Sequence, residues 1–539
     1  MRLWFAASTM PTPTAEPSVA PSGDSWRVGA ALFAALFFFY LGTSSREWPR
    51  GDAGSVYSVA NSLVERHTVA TSYWWHVNDK SRDGRNYSAF PLLQSLIHVP
   101  GEWLRVKLTA HDHTLAQYLK ALAGNLATAL CGALTCLLFF RTARQLGARR
   151  DAALAGTVVL ALGTFLWVFS HSAFVEGLHS AACIGLFGAV AAFDREPSRR
   201  QALWLGFWAG ILFNAKIVYT AALPAAFLLP LVARRRLWTS LVPLLWSALT
   251  FVPLACLVLY YNWLRFGSVW KTGYGAVTFF STPAIHGLWG MLFSPNKSVF
   301  LFAPPLILSA LVFREWTRIY PRLTWLMATM LGPVVLLYAK VPFWSGDWSW
   351  GPRYELFAVP VMMLPAVVLA ERFFPSGGGP LRWIKPAAAL LVVGAGLVTE
   401  ALGVAFCWDQ DYTIGRRVQW FWLGHPNGGL SRNGGSFEDY FAVDWLIPFN
   451  PFGMHAWFAR HVIQGHTWAQ AELDGPWRAY AHVPPMKDMD YWWHRVGLDW
   501  WFPVFRLEFP RLGWSLLASF ALLTGLSIFL LVRALRAAR

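Results

Sequence analysis

Asp52, Glu176 and Lys216 are ionisable residues set in largely apolar surroundings. A charged group taken out of water without a partner is costly, so each must mark either a site or a forced pairing. Asp52 lies in Pro49-Arg50-Gly51-Asp52-Ala53-Gly54-Ser55-Val56-Tyr57. After it, Val56, Val59, Ala60 and Leu63 recur at i, i+3, i+4 and i+7, the spacing of an amphipathic helix lying on a membrane surface. At the head of that helix Asp52 has two readings: an N-cap for the free backbone N–H groups, or a general base.

Glu176 lies in Ser170-His171-Ser172-Ala173-Phe174-Val175-Glu176-Gly177-Leu178-His179, an acid at a membrane boundary. His171 and His179 are too far apart in sequence to share a helix face at i, i+4. They are candidates for a metal site, with capping and interface anchoring as the alternative. Lys216 sits in Phe213-Asn214-Ala215-Lys216-Ile217-Val218-Tyr219, between two apolar halves. It either snorkels to the interface or holds a lipid phosphate.

Three further stretches carry donors. In Asp79-Lys80-Ser81-Arg82-Asp83-Gly84-Arg85-Asn86-Tyr87-Ser88-Ala89-Phe90-Pro91, Asp83-Gly84 signals a tight turn and Pro91 opens a second apolar helix to about Val106. Arg85, Tyr87 and Ser88 gather phosphate-type donors there, against the alternative of a solvated loop. The second stretch runs from Asn262-Trp263-Leu264-Arg265-Phe266-Gly267-Ser268 to Thr272-Gly273-Tyr274. The third is Phe343-Trp344-Ser345-Gly346-Asp347-Trp348-Ser349-Trp350-Gly351-Pro352-Arg353-Tyr354. Trp and Tyr at these depths serve as interfacial belts. Asp347, Arg353 and Tyr354 in one Gly-rich, Trp-rich turn also fit a shaped polar pocket, where Trp faces suit sugar rings or cations.

The elements that position these residues are membrane helices. A hydrocarbon core about 30 Å thick is crossed by roughly 20 apolar residues. Twelve such segments are predicted, at about 28–44, 119–140, 153–170, 178–193, 202–216, 218–232, 239–260, 297–313, 323–339, 356–370, 386–404 and 513–532. The two flanking Lys216 are short enough to form one re-entrant pair. With the N-terminus cytoplasmic, the inner segments hold 21 basic residues against 7 acidic ones. Nearly all of the chain's net charge of +16 then lies on one face, as the positive-inside rule requires. The basic balance is therefore a topology signal and needs no nucleic-acid partner. The expectation is an integral, multi-pass protein of a bacterial-type inner or plasma membrane, with both termini cytoplasmic.

Residues 1–27, rich in Pro, Ser and Ala, read as a disordered cytoplasmic tail without the pattern of a cleavable signal peptide. Residues 28–404 form the transmembrane module with outer loop 45–118. Residues 405–512 form a second outer segment holding eleven of the 32 tryptophans. Residues 513–539 are the last membrane helix and a basic tail. Four of the five cysteines fall inside apolar segments, so no disulfide framework is expected. There is no CxxC, no Walker loop and no GxGxxG opening a suitable helix. Apart from Lys216 and Glu400, both near outer ends, the membrane segments are almost free of charge. That argues against a coupled transporter, which places ionisable groups near the bilayer midplane.

An acid just after the first membrane helix (Asp52), a Tyr five residues on (Tyr57) and a surface helix resemble the first outer loop of the C-type membrane glycosyltransferases. These include the protein O-mannosyltransferases and the lipid A aminoarabinose transferases. The runs Gly84-Arg85-Asn86-Tyr87-Ser88 to Pro91, Asn262 to Tyr274 and Gly351-Pro352-Arg353-Tyr354 are similar to bacterial membrane proteins of that superfamily. The resemblance spans about residues 28–370. Asp52 is a single acid where the mannosyltransferases carry an Asp-Glu pair.

The resemblance implies an all-α polytopic fold of the C-type class with large extracytoplasmic loops. It implies a polyprenyl-phosphate sugar as donor, membrane lipids around it, and an extracytoplasmic glycan, lipid or protein as acceptor. Asp52 would be the base and Glu176 a second acid that orients acceptor or metal. Lys216 with Arg85 or Arg353 would clamp the phosphate, with Tyr57, Tyr87, Asp347 and Tyr354 as further substrate-binding residues. Some members of the superfamily need a divalent metal. The rival readings are a lipid-linked glycan flippase or other transporter, and a non-catalytic membrane scaffold.

Overall fold

In hydrocarbon every backbone N–H and C=O must be satisfied within its own segment, so the apolar runs have to form helices. A computed structural model of the chain bears out that constraint. It describes residues 24–73, 77–78, 81, 83–110, 112–232, 237–273, 280–347, 349–370, 384–422, 442–479, 485–486, 489–490 and 496–537. Residues 1–23, which make up most of the predicted tail, and Tyr274 and Trp348 of the predicted loops lie outside them. Apart from a two-stranded antiparallel ribbon, Val77–Asn78 against Tyr87–Ser88, the described secondary structure is helical.

All twelve predicted segments fall on helix, but not as twelve full spans. Among the described residues six helices are long and apolar enough to cross a membrane: His113–Gln145, Glu176–Arg195, Ser240–Phe266, Pro321–Ala339, Ile384–Ala405 and Pro510–Ala537. Several others are shorter or broken. The 153–170 segment is two helices, Arg150–Leu162 and Leu166–His171. The 297–313 segment is Val299–Phe302 and Leu306–Ile319, parted at Pro304-Pro305, where proline removes backbone donors. The 356–370 segment shortens to Val359–Val368. The chain is an all-α polytopic membrane protein with several spanning helices.

Packing separates a centre from a rim. The apolar window of Glu176–Arg195 is 94% buried and that of Pro510–Ala537 only 6%. The central helix packs against His113–Gln145 and Arg199–Ala215. Its small residues permit this close approach, as at membrane helix interfaces generally. A Cβ on Gly185 would stand 2.5 Å from the Trp208 ring, and one on Gly188 would stand 2.5 Å from Thr142 Oγ1. At the rim, Leu249, Leu391 and Leu522 are exposed, which suits lipid contact. The first helix, Asp24–Gly42, runs beside the last, Pro510–Ala537.

The segment 405–512 has a core of its own, built from Phe406, Ile414, Val418, Trp457, Phe458, Trp468 and Trp477 among others. Its end is tied back to the first helix. Trp500 Nε1 donates to Gly42 O at 2.6 Å, and Asp499 Oδ1 accepts from Ser45 Oγ at 2.7 Å.

Candidate active site

Four charged residues from distant segments meet at one place. Asp52 is delivered by the helix Gly51–Arg66, whose N-cap residue is Arg50. The capping reading of Asp52 is therefore overturned. Asp52 lies inside the first turn, and the free Gly51 N–H donates instead to Tyr73 Oη at 3.1 Å. Gly54 has no side chain in the way: a Cβ there would stand 2.5 Å from the same tyrosine hydroxyl. Of the predicted apolar face of this helix, Val56, Val59 and Ala60 are buried and Leu63 is half-buried.

Glu176 is the first residue of the central helix. Ser180 Oγ, one turn on, donates to Glu176 O at 3.1 Å and to Leu356 O at 3.0 Å. This joins the Glu176 helix to the turn that carries Arg353. Lys216 stands in extended backbone, φ −166° and ψ 143°, between the helix Arg199–Ala215 and the 3-10 turn Ile217–Ala222. The helix pair predicted around it thus breaks at the lysine itself.

Arg353 comes from a loop that is bent by left-handed residues. Gly346, Asp347 and Gly351 have φ of 84°, 56° and 62°. Glycine is needed at 346 for a second reason, since a Cβ would stand 2.5 Å from Arg353 Cγ. The buried Lys297 organises this loop from below. Its Nζ donates to the carbonyls of Asp347 at 2.8 Å, Ser349 at 2.7 Å and Gly351 at 3.3 Å.

The guanidinium of Arg353 bridges the two acids. Nη2 donates to Asp52 Oδ2 at 2.9 Å, and Nη1 lies 3.9 Å from Glu176 Oε1. Burial works against its charge, but Tyr354, Asp52, Glu176 and Asp347 together hold its pKa above the ordinary value. Lys216 Nζ lies 4.6 Å from the Tyr354 ring centre and 5.3 Å from that of Tyr338. Those two rings are stacked at 4.4 Å, and cation–π attraction holds the ammonium beside them.

A small cavity is lined by Asp52, Glu176 and Lys216 with Phe90, Gln94, Phe174 and His179 among others. Two buried acceptors on its lining residues, Glu176 Oε2 and Gln94 Oε1, have no hydrogen-bond partner. A second small cavity uses neighbouring wall segments, with Ala89, Pro91 and Ile217 in its lining. There Arg265 donates to Ser88 O at 2.6 Å and Phe90 O at 3.2 Å, so the Asn262–Ser268 stretch pins residues 88–90.

The other predicted residues lie elsewhere. Arg85 is exposed and 3.7 Å from Asp83, outside either cavity lining. Tyr87 is buried and donates to Asp83 Oδ2 at 2.8 Å. Tyr57 donates to Glu102, away from the cavity lining. Asp347 serves through its backbone, and its charge is felt by Arg353 and Tyr354.

His171 and His179 do not fit a shared metal site. His171 Nδ1 meets Thr43 O and its Nε2 is 3.2 Å from Asp499 Oδ2, so both ring nitrogens are engaged. His179 Nε2 lies 3.4 Å from Gln94 Nε2. Among the described residues no group of three or more His, Cys, Asp or Glu side chains is arranged for a metal.

Sequence reasoning missed Gln94, Tyr338, Lys297 and Glu355. Glu355 is buried with both oxygens unpartnered, and burial holds its pKa well above the ordinary carboxylate value. Gln94 had a legible signal, a polar residue in the apolar run Leu92–Leu96. Lys297 and Tyr338 had none, because nothing local distinguishes them from interfacial anchors.

No family model matches this chain, and no curated protein matches it. Solved structures do. ArnT from Cupriavidus metallidurans in the apo state is 16% identical over 82% of this chain and 80% of that one, with a TM-score of 0.45. The same protein bound to undecaprenyl phosphate is 17% identical over 82% and 80%, with a TM-score of 0.40. The archaeal oligosaccharyltransferase AglB from Archaeoglobus fulgidus, in complex with an inhibitory peptide and a dolichol-phosphate, is 12% identical over 78% of this chain and 60% of that one, with a TM-score of 0.40. These are distant likenesses.

Proposed function

We propose that this chain is an inverting membrane glycosyltransferase that moves a sugar from a polyprenyl-phosphate donor to an extracytoplasmic glycan, lipid or protein. The observation that carries the reading is the meeting of Asp52, Glu176 and Lys216 at one small cavity, with Arg353 paired to both acids beside it. Inverting transfer needs one placed base and a stabilised leaving group. Asp52 takes the proton of the acceptor hydroxyl. The acceptor oxygen attacks the anomeric carbon on the face opposite the phosphate. The bond from that carbon to the phosphate oxygen breaks, and its electron pair stays on the phosphate. Lys216 and Arg353 compensate the charge that gathers there. Glu176, with one oxygen unpartnered, orients the acceptor. The surrounding helices leave the lipid tail in the bilayer.

The test is direct. The full chain in liposomes is given a short-chain polyprenyl phosphate carrying mannose, glucose or arabinose, with membrane glycans as acceptors. Expected is release of polyprenyl phosphate with inversion at the anomeric carbon. Movement of the intact donor across the bilayer without release would instead identify a flippase. The proposed orientation puts 45–118 and 405–512 outside. An impermeant thiol reagent should then label a cysteine introduced at 83 and spare those at 144 and 235; the reverse pattern would overturn it.

A further inference from the structure

Gln94 lies on the short helix Leu92–Leu96 and is 1% exposed. Its amide nitrogen donates to the carbonyl of Ala215, the residue before Lys216, and lies 3.4 Å from His179 Nε2. These contacts decide which way the amide faces. Turned over, Oε1 would meet a carbonyl oxygen, two acceptors with no proton between them. The amide oxygen is thus left over, and it has no hydrogen-bond partner. A buried acceptor left unpaired keeps the full penalty of its lost hydration. In a packed core that is a defect. Gln94 instead lines the cavity that holds Asp52, Glu176 and Lys216, where the second unpartnered acceptor, Glu176 Oε2, is also found.

Two unpartnered acceptors on residues that line one cavity disfavour the oxygens of a phosphate and favour O–H or N–H donors. The cavity therefore has a polarity, with cations for the phosphate and acceptors for a group rich in hydroxyls. We propose that Gln94 Oε1 accepts a hydrogen bond from one hydroxyl or amine of the donor's sugar ring, and so sets which sugar the cavity takes. This rests on the sugar-transfer reading of the same cavity. A site that hydrogen-bonds a substrate hydroxyl rejects the analogue lacking it, because its own acceptor is then stranded.

The experiment pairs changes in the protein with changes in the sugar. The full-length protein is assayed with short-chain polyprenyl phosphates carrying mannose, glucose or arabinose. Monodeoxy versions of the sugar used best, and its deamino version if it bears an amine, follow. In the wild type one of these analogues should lose about 10- to 100-fold in kcat/KM. In Gln94→Leu the ratio between that analogue and its parent should fall to within about twofold, the error of additivity, with the other ratios unchanged. Gln94→Met, similar in length, serves where the leucine variant does not fold. Loss of the bond to Ala215 lowers all donors together and leaves the ratio untouched, so a merely structural role cannot produce this result. An unchanged ratio in the variants, or no discriminated analogue in the wild type, overturns the inference while leaving the transfer reading in place. A wild type that uses none of the three parent donors overturns that reading, and the inference falls with it.

Discussion

The helix Gly51–Arg66 carries charge at both ends, and the two ends are built differently. Toward its C-terminus, Tyr57, Asn61 and Glu65 face Glu102 and Arg105. Glu102 is fully buried and every lone pair is used. Its Oε2 accepts from Tyr57 Oη and from Arg105 Nε at 2.8 Å, and its Oε1 accepts from Asn61 Nδ2 at 2.7 Å and Arg105 Nη2 at 2.5 Å. Burial pushes this carboxyl up, yet those donors together hold it below the ordinary glutamate value. At the N-terminal end Asp52 is a quarter exposed and shares Arg353 with Glu176, which keeps one oxygen open beside a cavity. Saturated charge ties the helix Gly51–Arg66 to the helix Val99–Leu108. Incompletely satisfied charge beside a space is where a ligand's own donors can enter.

The largest effect expected from this contrast is on activity. Asp52→Asn keeps the shape but cannot accept a proton, so transfer should fall by roughly 10²–10⁴-fold with the melting temperature unchanged. Near-normal turnover would break the comparison and leave Glu176 as the base. Next, Glu102→Ala should cost about 3–5 kcal/mol of stability by stranding a half-buried guanidinium and a buried phenol. It should leave kcat/KM per folded molecule intact. If it melts like the wild type, the closed cluster is not structural. Lys216→Ala should raise the donor's KM by roughly 10- to 100-fold, the worth of one charge-assisted contact, and unchanged donor affinity would remove it from the phosphate site.

A pH effect sharpens the same contrast. His98 packs edge-on against Tyr57 at 5.8 Å, and burial pushes its pKa from 6.5 down to about 4. The fold keeps it neutral, so between pH 6.5 and about 4 the unfolded chain binds a proton that the folded one refuses. Stability should fall with pH across that window by up to about 1.4 kcal/mol per unit and level off below it. His98→Gln should flatten that slope in melts recorded against pH; an identical slope would assign it to other groups. The smallest effect belongs to Arg85→Ala. Exposed and paired with Asp83 of its own turn, it should change kcat/KM less than about twofold. A larger loss would return Arg85 to the phosphate clamp.

Much of this was legible in particular residues. Asp52, Glu176, Lys216 and Arg353 stand out because a charge in apolar surroundings must find a partner. Their partners were not legible. Asp52 and Arg353 are 301 residues apart, and nothing local to Arg85 or Arg353 tells which of two arginines beside a glycine and a tyrosine will be buried. The cap reading of Asp52 was open for the same reason. An Asp at a helix start is a good cap by propensity, and only the structure shows the helix beginning at Gly51, with Arg50 at the cap position and Tyr73 taking the Gly51 N–H. The twelve apolar segments were visible as composition. Their breaks at Gly163–Phe165, at Pro304-Pro305 and at Lys216 depend on what each segment packs against.

The sequence by itself determined the class of molecule, where its apolar segments lie and the short roster of charges that had to be explained. Hydropathy and the cost of burying charge are properties of single residues and short windows, so they can be read along the chain. Tertiary structure alone decided which charges meet, that Arg353 bridges both acids, and that Gln94 and Glu176 keep acceptors open at one cavity. Those facts depend on distances between segments hundreds of residues apart, set by the close packing of small-residue helices and by one loop bent through left-handed residues around Lys297.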